Sequence, residues 1–253
     1  MTRYSQRSAA PVATDRHRSK FLADAFAVVE PTGNFLSIDI ETNGPNPMDA
    51  FVFPLQIGLV EFRDWKMLEP HEFFLNWPAI LGQAEQSTLR SQIDRVANQV
   101  PNYPVTYELL ETGVPVDEGL QAVVDCVVAA RDQSIPICGY NFWTFDRRVL
   151  LRSIRNRIDA DFDFPAKQII DVGMLAKAIV HGYAPPTRDD DIGAWYGAVG
   201  SIIRPGKWSL ALHATTVYGV ACSQSRTHSA AYDAELCGLV FEKMAALAAR
   251  KDN

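Results

Sequence analysis

The chain has 253 residues, of which 47% are hydrophobic and 21% charged, with a formal net charge of −6 at pH 7. This length suits one α/β domain with insertions or two small domains. The acidic balance argues against a protein that coats nucleic acid with a basic surface. The sequence has neither an apolar stretch of the roughly 18 residues that a membrane-spanning helix needs nor a signal-peptide core, so we expect no membrane association.

The cysteines are few and widely spaced, which argues against a zinc knuckle or a redox pair. Most of them stand among apolar neighbours and are expected to be small core residues. They are Cys126, Cys138, Cys222 and Cys237. A reduced, cytoplasmic protein fits this pattern best.

The first residues, 1–33, are polar with scattered Ala and Pro, and they are expected to form a flexible tail with at most a short helix at 21–29. Several arginines give the tail a basic character, for which solvation is the simplest explanation. The ordered domain is expected to span 34–253. It begins with an apolar strand, FLSIDIET, at Phe35–Thr42.

Two carboxylates, Asp39 and Glu41, interrupt that strand. Side chains two positions apart on a strand share a face, so both carboxylates point the same way. Such a pair is costly to bury because like charges repel and lose their hydration. A cation between them removes both penalties, and hard oxygen ligands suit Mg²⁺ or Mn²⁺.

Further strands are predicted at 55–62 and 71–77, close enough along the chain to form an antiparallel meander with the first. The pattern then predicts helices and strands in turn: a helix at 87–100, another from 115, a strand at 135–140, a helix at 144–157, a strand at 168–172 with a helix to 181, and helices at 208–218 and 229–250. Residues 78–115 and 182–207 are expected to be insertions, the second a loop. The fold class is therefore α/β, with a mixed five-stranded sheet, three antiparallel strands and then two parallel, flanked by helices.

Two later segments supply partners for the acidic strand. Asn141 follows a strand, and Asp146 falls in the first turn of the next helix, where open α/β sheets bind ligands. His228 precedes the last helix, and Asp233 lies in its early turns. Each of these residues alone is explained by helix capping, the helix dipole or a surface position. Together they form a set that could hold two metal ions for phosphoryl displacement, with the histidine as general base.

These segments resemble the motifs of the DEDD-type 3′–5′ exonucleases, histidine subclass. Residues 38–44, IDIETNG, are similar to D-x-E-T-x-G, residues 141–146, NFWTFD, to N-x-x-x-F-D, and residues 228–233, HSAAYD, to H-x-A-x-x-D. QIG at 56–58 and DVGMLA at 171–176 also resemble family segments. The motifs stand in order over most of the chain, which makes the combination far more specific than any one of them.

The resemblance implies a ribonuclease H-like fold and a metal-dependent 3′–5′ exonuclease that releases nucleoside 5′-monophosphates from a single-stranded DNA or RNA end. It implies that two divalent cations, Mg²⁺ or Mn²⁺, are bound by four carboxylates, with Asp39 bridging both ions. Glu41 and Asp233 would complete one metal site, and Asp146 would serve the other. His228 would deprotonate the attacking water. Substrate contacts would come from Thr42, Asn141 and Phe145.

Some questions stay open at this level. Pro45 stands where many relatives have a leucine that wedges against the terminal base, so the end-base contact is not assigned. The insertions are equally compatible with shaping the substrate entrance and with neutral surface loops. An endonuclease with the same site, or an accessory binding module with the same fold, are the alternatives. A homodimer is possible, and the sequence does not distinguish DNA from RNA.

Overall fold

A computed structural model describes residues 14–28, 30–202 and 209–250. Its strands are β1 (Phe35–Thr42), β2 (Pro54–Arg63), β3 (Lys66–Met67), β4 (His71–Phe74), β5 (Ile137–Gly139) and β6 (Ile169–Asp171). Its helices are α1 (Asp15–Phe26), α2 (Gln83–Gln99), α3 (Tyr107–Glu111), α4 (Val116–Asp132), α5 (Asp146–Arg157), α6 (Val172–His181), α7 (Ile192–Gly200), α8 (Leu210–Thr216) and α9 (Ala230–Ala248). None of the helices in these three ranges is long and apolar enough to cross a membrane.

The sheet places the acidic strand β1 at its centre. β1 pairs antiparallel with β2 on one side and parallel with β5 on the other, and β5 pairs parallel with β6. The strand order is β3-β2-β1-β5-β6, with β4 also paired to β2. The predicted α/β class, a mixed sheet flanked by helices, is confirmed.

The outer edge of β2 differs from the prediction because two short strands share it. β4 pairs with residues 56–59 of β2, and the unpredicted strand β3 pairs with residues 62–63. β3 forms because Asp64 and Trp65, with φ of 50° and 64°, make a tight two-residue turn after β2. Such turns usually contain Asn and Gly, so this Asp-Trp pair gives no recognisable hairpin signal in the sequence.

The N-terminal region also differs from the prediction, because α1 packs on α9 instead of forming part of a flexible tail. Phe21, Leu22 and Phe26 are buried, and the Phe26 ring meets Phe241 edge to face with centroids 5.8 Å apart. The prediction of a tail over 1–33 is therefore wrong for residues 15–26, because an apolar face at helical spacing outweighs the polar average. Residues 1–13 lie outside the described ranges.

The segment 182–207 is not a loop throughout, since it contains α7. The Asp191 side chain accepts hydrogen bonds from the N–H groups of Gly193 and Ala194 and so caps α7, while Trp195 and Tyr196 are buried. The Gly- and Asp-rich composition predicted a loop, but this cap and the two aromatic anchors make a helix. Residues 203–208 lie outside the described ranges.

Candidate active site

The carboxylates of β1 lie where the last helix begins. Asp39 pairs in register with Gly58 of β2, and Glu41 pairs with Gln56. A Cβ atom added to Gly58 would lie 2.2 Å from the carbonyl carbon of Ala230 and 2.3 Å from the nitrogen of Ala231. The backbone at the start of α9 therefore rests directly on the sheet beside Asp39, which only a glycine allows.

Two polar side chains from the sheet cap this helix start. The buried Gln56 accepts a hydrogen bond from Ala230 N at 3.2 Å through its Oε1. Oε1 of Glu72, on β4, accepts from Ser229 Oγ at 2.7 Å and from Ala231 N at 3.0 Å. They replace the usual side-chain cap, because Ser229 makes no capping bond of its own. The first turn of α9, with Asp233, is thereby fixed over β1.

Asp146 approaches β1 from the beginning of α5. It is 5% exposed, and its Oδ1 accepts a hydrogen bond from the backbone N of Ile40 at 3.3 Å, between the two β1 carboxylates in sequence. Asn141, five residues earlier, has φ of 59° and accepts hydrogen bonds from Thr144 N and Phe145 N through its carbonyl. The short connection from β5 thus coils into a compact turn that delivers Asp146 to the acidic strand.

A buried carboxylate, Asp171, organises that turn. Its oxygens accept from Asn141 N at 3.0 Å, Trp143 N at 2.9 Å and Met174 N at 3.0 Å, and it also caps α6. The motif resemblance marked Asp171 without assigning it a role. Its position at the junction of a strand and a helix is the sequence signal for an N-cap, but its bonds to the neighbouring turn have no such signal.

Burial and mutual repulsion act on the four clustered carboxyl groups. Desolvation, followed by the charges of Asp146, Asp233 and Glu41, raises the pKa of Asp39 well above its ordinary value. The pKa of Glu41 is raised well above its ordinary value for the same reasons, first desolvation and then the charges of Asp233 and Asp146. Desolvation raises the pKa of Asp146 to about 8 and that of Asp233 to about 6. Full ionisation of the four groups is therefore unfavourable without a compensating positive charge, which is the electrostatic condition for binding a cation.

His228 stands at the solvent side of this cluster. Its side chain is 41% exposed, and its Nδ1 lies 3.9 Å from Glu41 Oε1, beyond hydrogen-bond distance. Its backbone has φ of 71°, and its N–H donates to Asp233 Oδ2 at 3.1 Å. Partial burial lowers the pKa of His228.

The donor set fits a hard divalent cation. Glu41, His228 and Asp233 offer ligand atoms that all lie within 4.8 Å of one another. Asp39, Glu41, Asp146 and Asp233 line one open cleft of about 500 Å³, together with Asn141 and Phe145. Several carboxylate oxygens converging on one space, with raised pKa values, suit Mg²⁺ or Mn²⁺ coordination.

Of the predicted substrate contacts, Asn141 and Phe145 line the cleft, whereas Thr42 is 8% exposed and donates its hydroxyl to Gly44 O at 2.8 Å. Two other residues of the site gave no signal in the sequence. Glu72 reaches the start of α9 only because β4 pairs with β2, and Tyr103 comes from an insertion to bond the Thr42 carbonyl.

Comparison with known proteins gives a fold match. No protein-family model matches the sequence, and a search of curated proteins finds no match. Among solved structures, E. coli exonuclease I in complex with a dA16 oligonucleotide is similar, with 19% identity, a TM-score of 0.53, and coverage of 84% of this chain and 40% of that one. A product-bound exonuclease I gives 17% identity, a TM-score of 0.54, and coverage of 85% and 44%.

A third similar structure is the zinc-bound form of an E. coli exonuclease I complex with single-stranded DNA, at 18% identity and a TM-score of 0.52. It covers 85% of this chain and 40% of that one. The chain therefore spans about two-fifths of the length of these structures. At such identity the likeness shows the fold, and it agrees with the ribonuclease H-like architecture that the motifs implied.

Proposed function

We propose that this chain is a metal-dependent 3′–5′ exonuclease that hydrolyses single-stranded nucleic acid and releases nucleoside 5′-monophosphates. The observation that carries the proposal is the convergence of Asp39, Glu41, Asp146 and Asp233 in one open cleft. His228 stands beside them, with a ring nitrogen within 4.8 Å of carboxylate oxygens of Glu41 and Asp233. The fold likeness to exonuclease I supports it.

Two divalent cations, Mg²⁺ or Mn²⁺, would stabilise the negative charge on the attacking and leaving oxygens of an in-line displacement. Asp39, at the centre of the cluster, is the residue suited to serve both ions. Glu41 and Asp233 would complete one site because they lie together with His228. Asp146 would serve the other from the α5 side.

The protein's own groups would do the remaining work. His228, being partly exposed and next to Glu41, would take the proton of the attacking water at an imidazole nitrogen. Asn141 and Phe145 would contact the terminal nucleotide from the wall of the cleft. Thr42 would contribute through its backbone, since its hydroxyl is bonded to Gly44.

DNA is the first substrate to test. Two of the similar structures are complexes of exonuclease I, one with a dA16 oligonucleotide and one, a zinc-bound form, with single-stranded DNA. These complexes concern exonuclease I, and we extend single-stranded DNA binding to this chain as part of the proposal. Matched DNA and RNA oligomers of several lengths, assayed side by side, will decide the sugar preference.

The deciding experiment uses a single-stranded DNA labelled at its 5′ end, incubated with Mg²⁺ or Mn²⁺. The proposal predicts a ladder of products shortened from the 3′ end, with nucleoside 5′-monophosphates released. A 3′-blocked strand and a circular strand will stay intact, which separates this function from the endonuclease alternative. An inert wild-type protein under all of these conditions would contradict the proposal.

A further inference from the structure

The segment between α2 and α3 contacts the end of the acidic strand β1 and the loop that precedes α9. It begins with a tight turn in which Val100 O accepts a hydrogen bond from Tyr103 N at 3.3 Å. Pro101 and Asn102 occupy the centre of this turn, and Asn102 has φ of 61°. Proline followed by a residue of positive φ is the pattern of a type II turn, which holds the segment in a fixed shape. We call residues 100–104 the brace segment.

The side chains of the brace segment point to two different parts of the site. The Tyr103 hydroxyl donates to Thr42 O at 2.7 Å, at the end of the acidic strand. The Asn102 amide donates through Nδ2 to Gln224 O at 2.8 Å, in the loop before α9. One short turn in an insertion therefore contacts both the strand that carries Asp39 and the loop that carries His228.

The contact at Gln224 lies close to the histidine. The same Gln224 carbonyl accepts a hydrogen bond from Thr227 Oγ1 at 2.9 Å, and Thr227 directly precedes His228. His228 has a left-handed backbone, which a non-glycine residue holds only when its surroundings fix it. The His228 ring gains no hydrogen bond from Glu41, so its placement depends on the backbone of this loop.

We propose that Asn102 and Tyr103 are positioning residues, Asn102 setting the place of His228 through Gln224 and Tyr103 setting the place of Thr42. This inference rests on the proposed exonuclease function and gives the 78–115 insertion a role in it. The two side chains act on different groups, so their loss affects different kinetic constants. Asn102 acts on the base, and Tyr103 acts on the strand end that meets the terminal nucleotide.

The Asn102→Gly variant removes the amide and keeps a residue that accepts positive φ. We expect kcat to fall about tenfold with KM unchanged within about twofold, since a misplaced base affects the chemical step. The loss is expected to disappear in a His228→Ala background, where there is no base to position. For Tyr103→Phe we expect KM to rise about fivefold with little change in kcat.

A matched control is Asn76→Ala. Asn76 stands just before the insertion and donates through Nδ2 to Glu111 O within it at 2.9 Å. Neither residue lines the cleft, so the loss of this bond should leave both constants unchanged. Asn102→Asp, which keeps the shape but cannot donate to Gln224 O, is a second variant in case Asn102→Gly folds poorly. Unchanged kcat in both Asn102 variants, or a loss that persists in the His228→Ala background, would overturn the inference.

Hydrogen exchange separates this inference from the proposed function. If the brace holds the loop, Asn102→Gly will speed the exchange of the backbone amides in residues 224–229, whereas Asn76→Ala will not. If the wild type is inert but the Asn102→Gly variant shows faster amide exchange in residues 224–229, the exonuclease proposal is refuted and the positioning role of the brace segment is retained. An active wild type with unchanged exchange and unchanged kcat in the variant would refute the brace.

Discussion

The two halves of the acidic cleft are held by different means. In the α9 half, the helix backbone rests on Gly58 with no room for one further carbon atom, and Gln56 and Glu72 cap its first turn. In the α5 half, Asp146 follows a turn whose N–H groups converge on the buried Asp171. The α9 half depends on a close steric contact reinforced by two side-chain caps, whereas the α5 half depends on hydrogen bonds to a single carboxylate.

This difference predicts how each half fails. A close-packed contact cannot accept an added atom without moving the helix, because protein interiors have few voids. A hydrogen-bonded turn that loses one acceptor keeps its other hydrogen bonds and loses only part of its stability. Substitutions in the α9 half should therefore be more severe than those in the α5 half, and removal of a residue that both halves share should be the most severe.

The largest effect is expected for Asp39→Asn, since Asp39 lies between the halves. Activity should fall by at least about a thousandfold because the charge that holds the cations is lost. Without divalent cations the variant should melt about as high as wild type or a few degrees higher, since its amide relieves like-charge repulsion. Activity assays and melting in EDTA measure both. The matched control is Asp94→Asn, which replaces an exposed carboxylate on α2.

Near-normal turnover of the Asp39→Asn variant would show that Asp39 is not part of the metal site. A strong loss of melting temperature in EDTA would indicate that the carboxylate stabilises the fold instead of binding cations.

Gly58→Ala should have the next largest effect. The new Cβ would meet the backbone of Ala230 at 2.2 Å, so α9 must shift, and with it Asp233. We expect about 1–3 kcal/mol of destabilisation and about a hundredfold loss of activity. Denaturant unfolding and initial rates measure the two effects.

Gly197→Ala is the control for that change, because an added Cβ at Gly197 of α7 meets nothing within 4 Å. It should be neutral or stabilise by about 0.5–1 kcal/mol, as alanine does in helices. Equal effects of the two glycine substitutions would refute the close contact of α9 with the sheet.

Asp171→Asn should have the smallest effect of these on activity. One of its two oxygens becomes an amide, which leaves a backbone N–H of the Asn141–Trp143 turn without an acceptor. We expect about 1–3 kcal/mol of destabilisation and about tenfold lower kcat, since Asp146 loses its support. Asp191→Asn changes another helix cap, away from the acidic cluster, and should leave kcat unchanged. If the kcat of Asp171→Asn equals that of wild type, the Asn141–Trp143 turn does not affect the function of Asp146.

The sequence predicted the α9 half more fully than the α5 half. Alternation in FLSIDIET placed Asp39 and Glu41 on one face, and QIG with the small pair Ala230 and Ala231 agrees with a close helix-to-sheet contact. Hydrophobic periodicity predicts which side chains share a face and roughly where each strand or helix ends. This information is enough to describe the α9 half. The support from Asp171 and Glu72 comes from residues brought together by strand pairing, and no local pattern encodes it.

The insertions show the same limit. Helix α7 lies in the segment 182–207, which was predicted as a loop because it is rich in glycine, proline and aspartate, yet the burial of Trp195 and Tyr196 anchors the helix. The brace segment carries a readable turn signal, Pro101 followed by Asn102, but its partners Thr42 and Gln224 are distant in sequence. Turn type is local chemistry, whereas the target of a turn is set by the whole fold.

If both halves of the cleft hold cations for one reaction, the number of bound ions depends on residues from each half. Electron paramagnetic resonance counts bound Mn²⁺ ions with a nucleoside 5′-monophosphate present. We predict about two bound ions for wild type, about one for Asp146→Asn and none for Asp39→Asn. Absence of Mn²⁺ binding in wild type, or unchanged binding in both variants, would show that the two halves do not form a shared metal site.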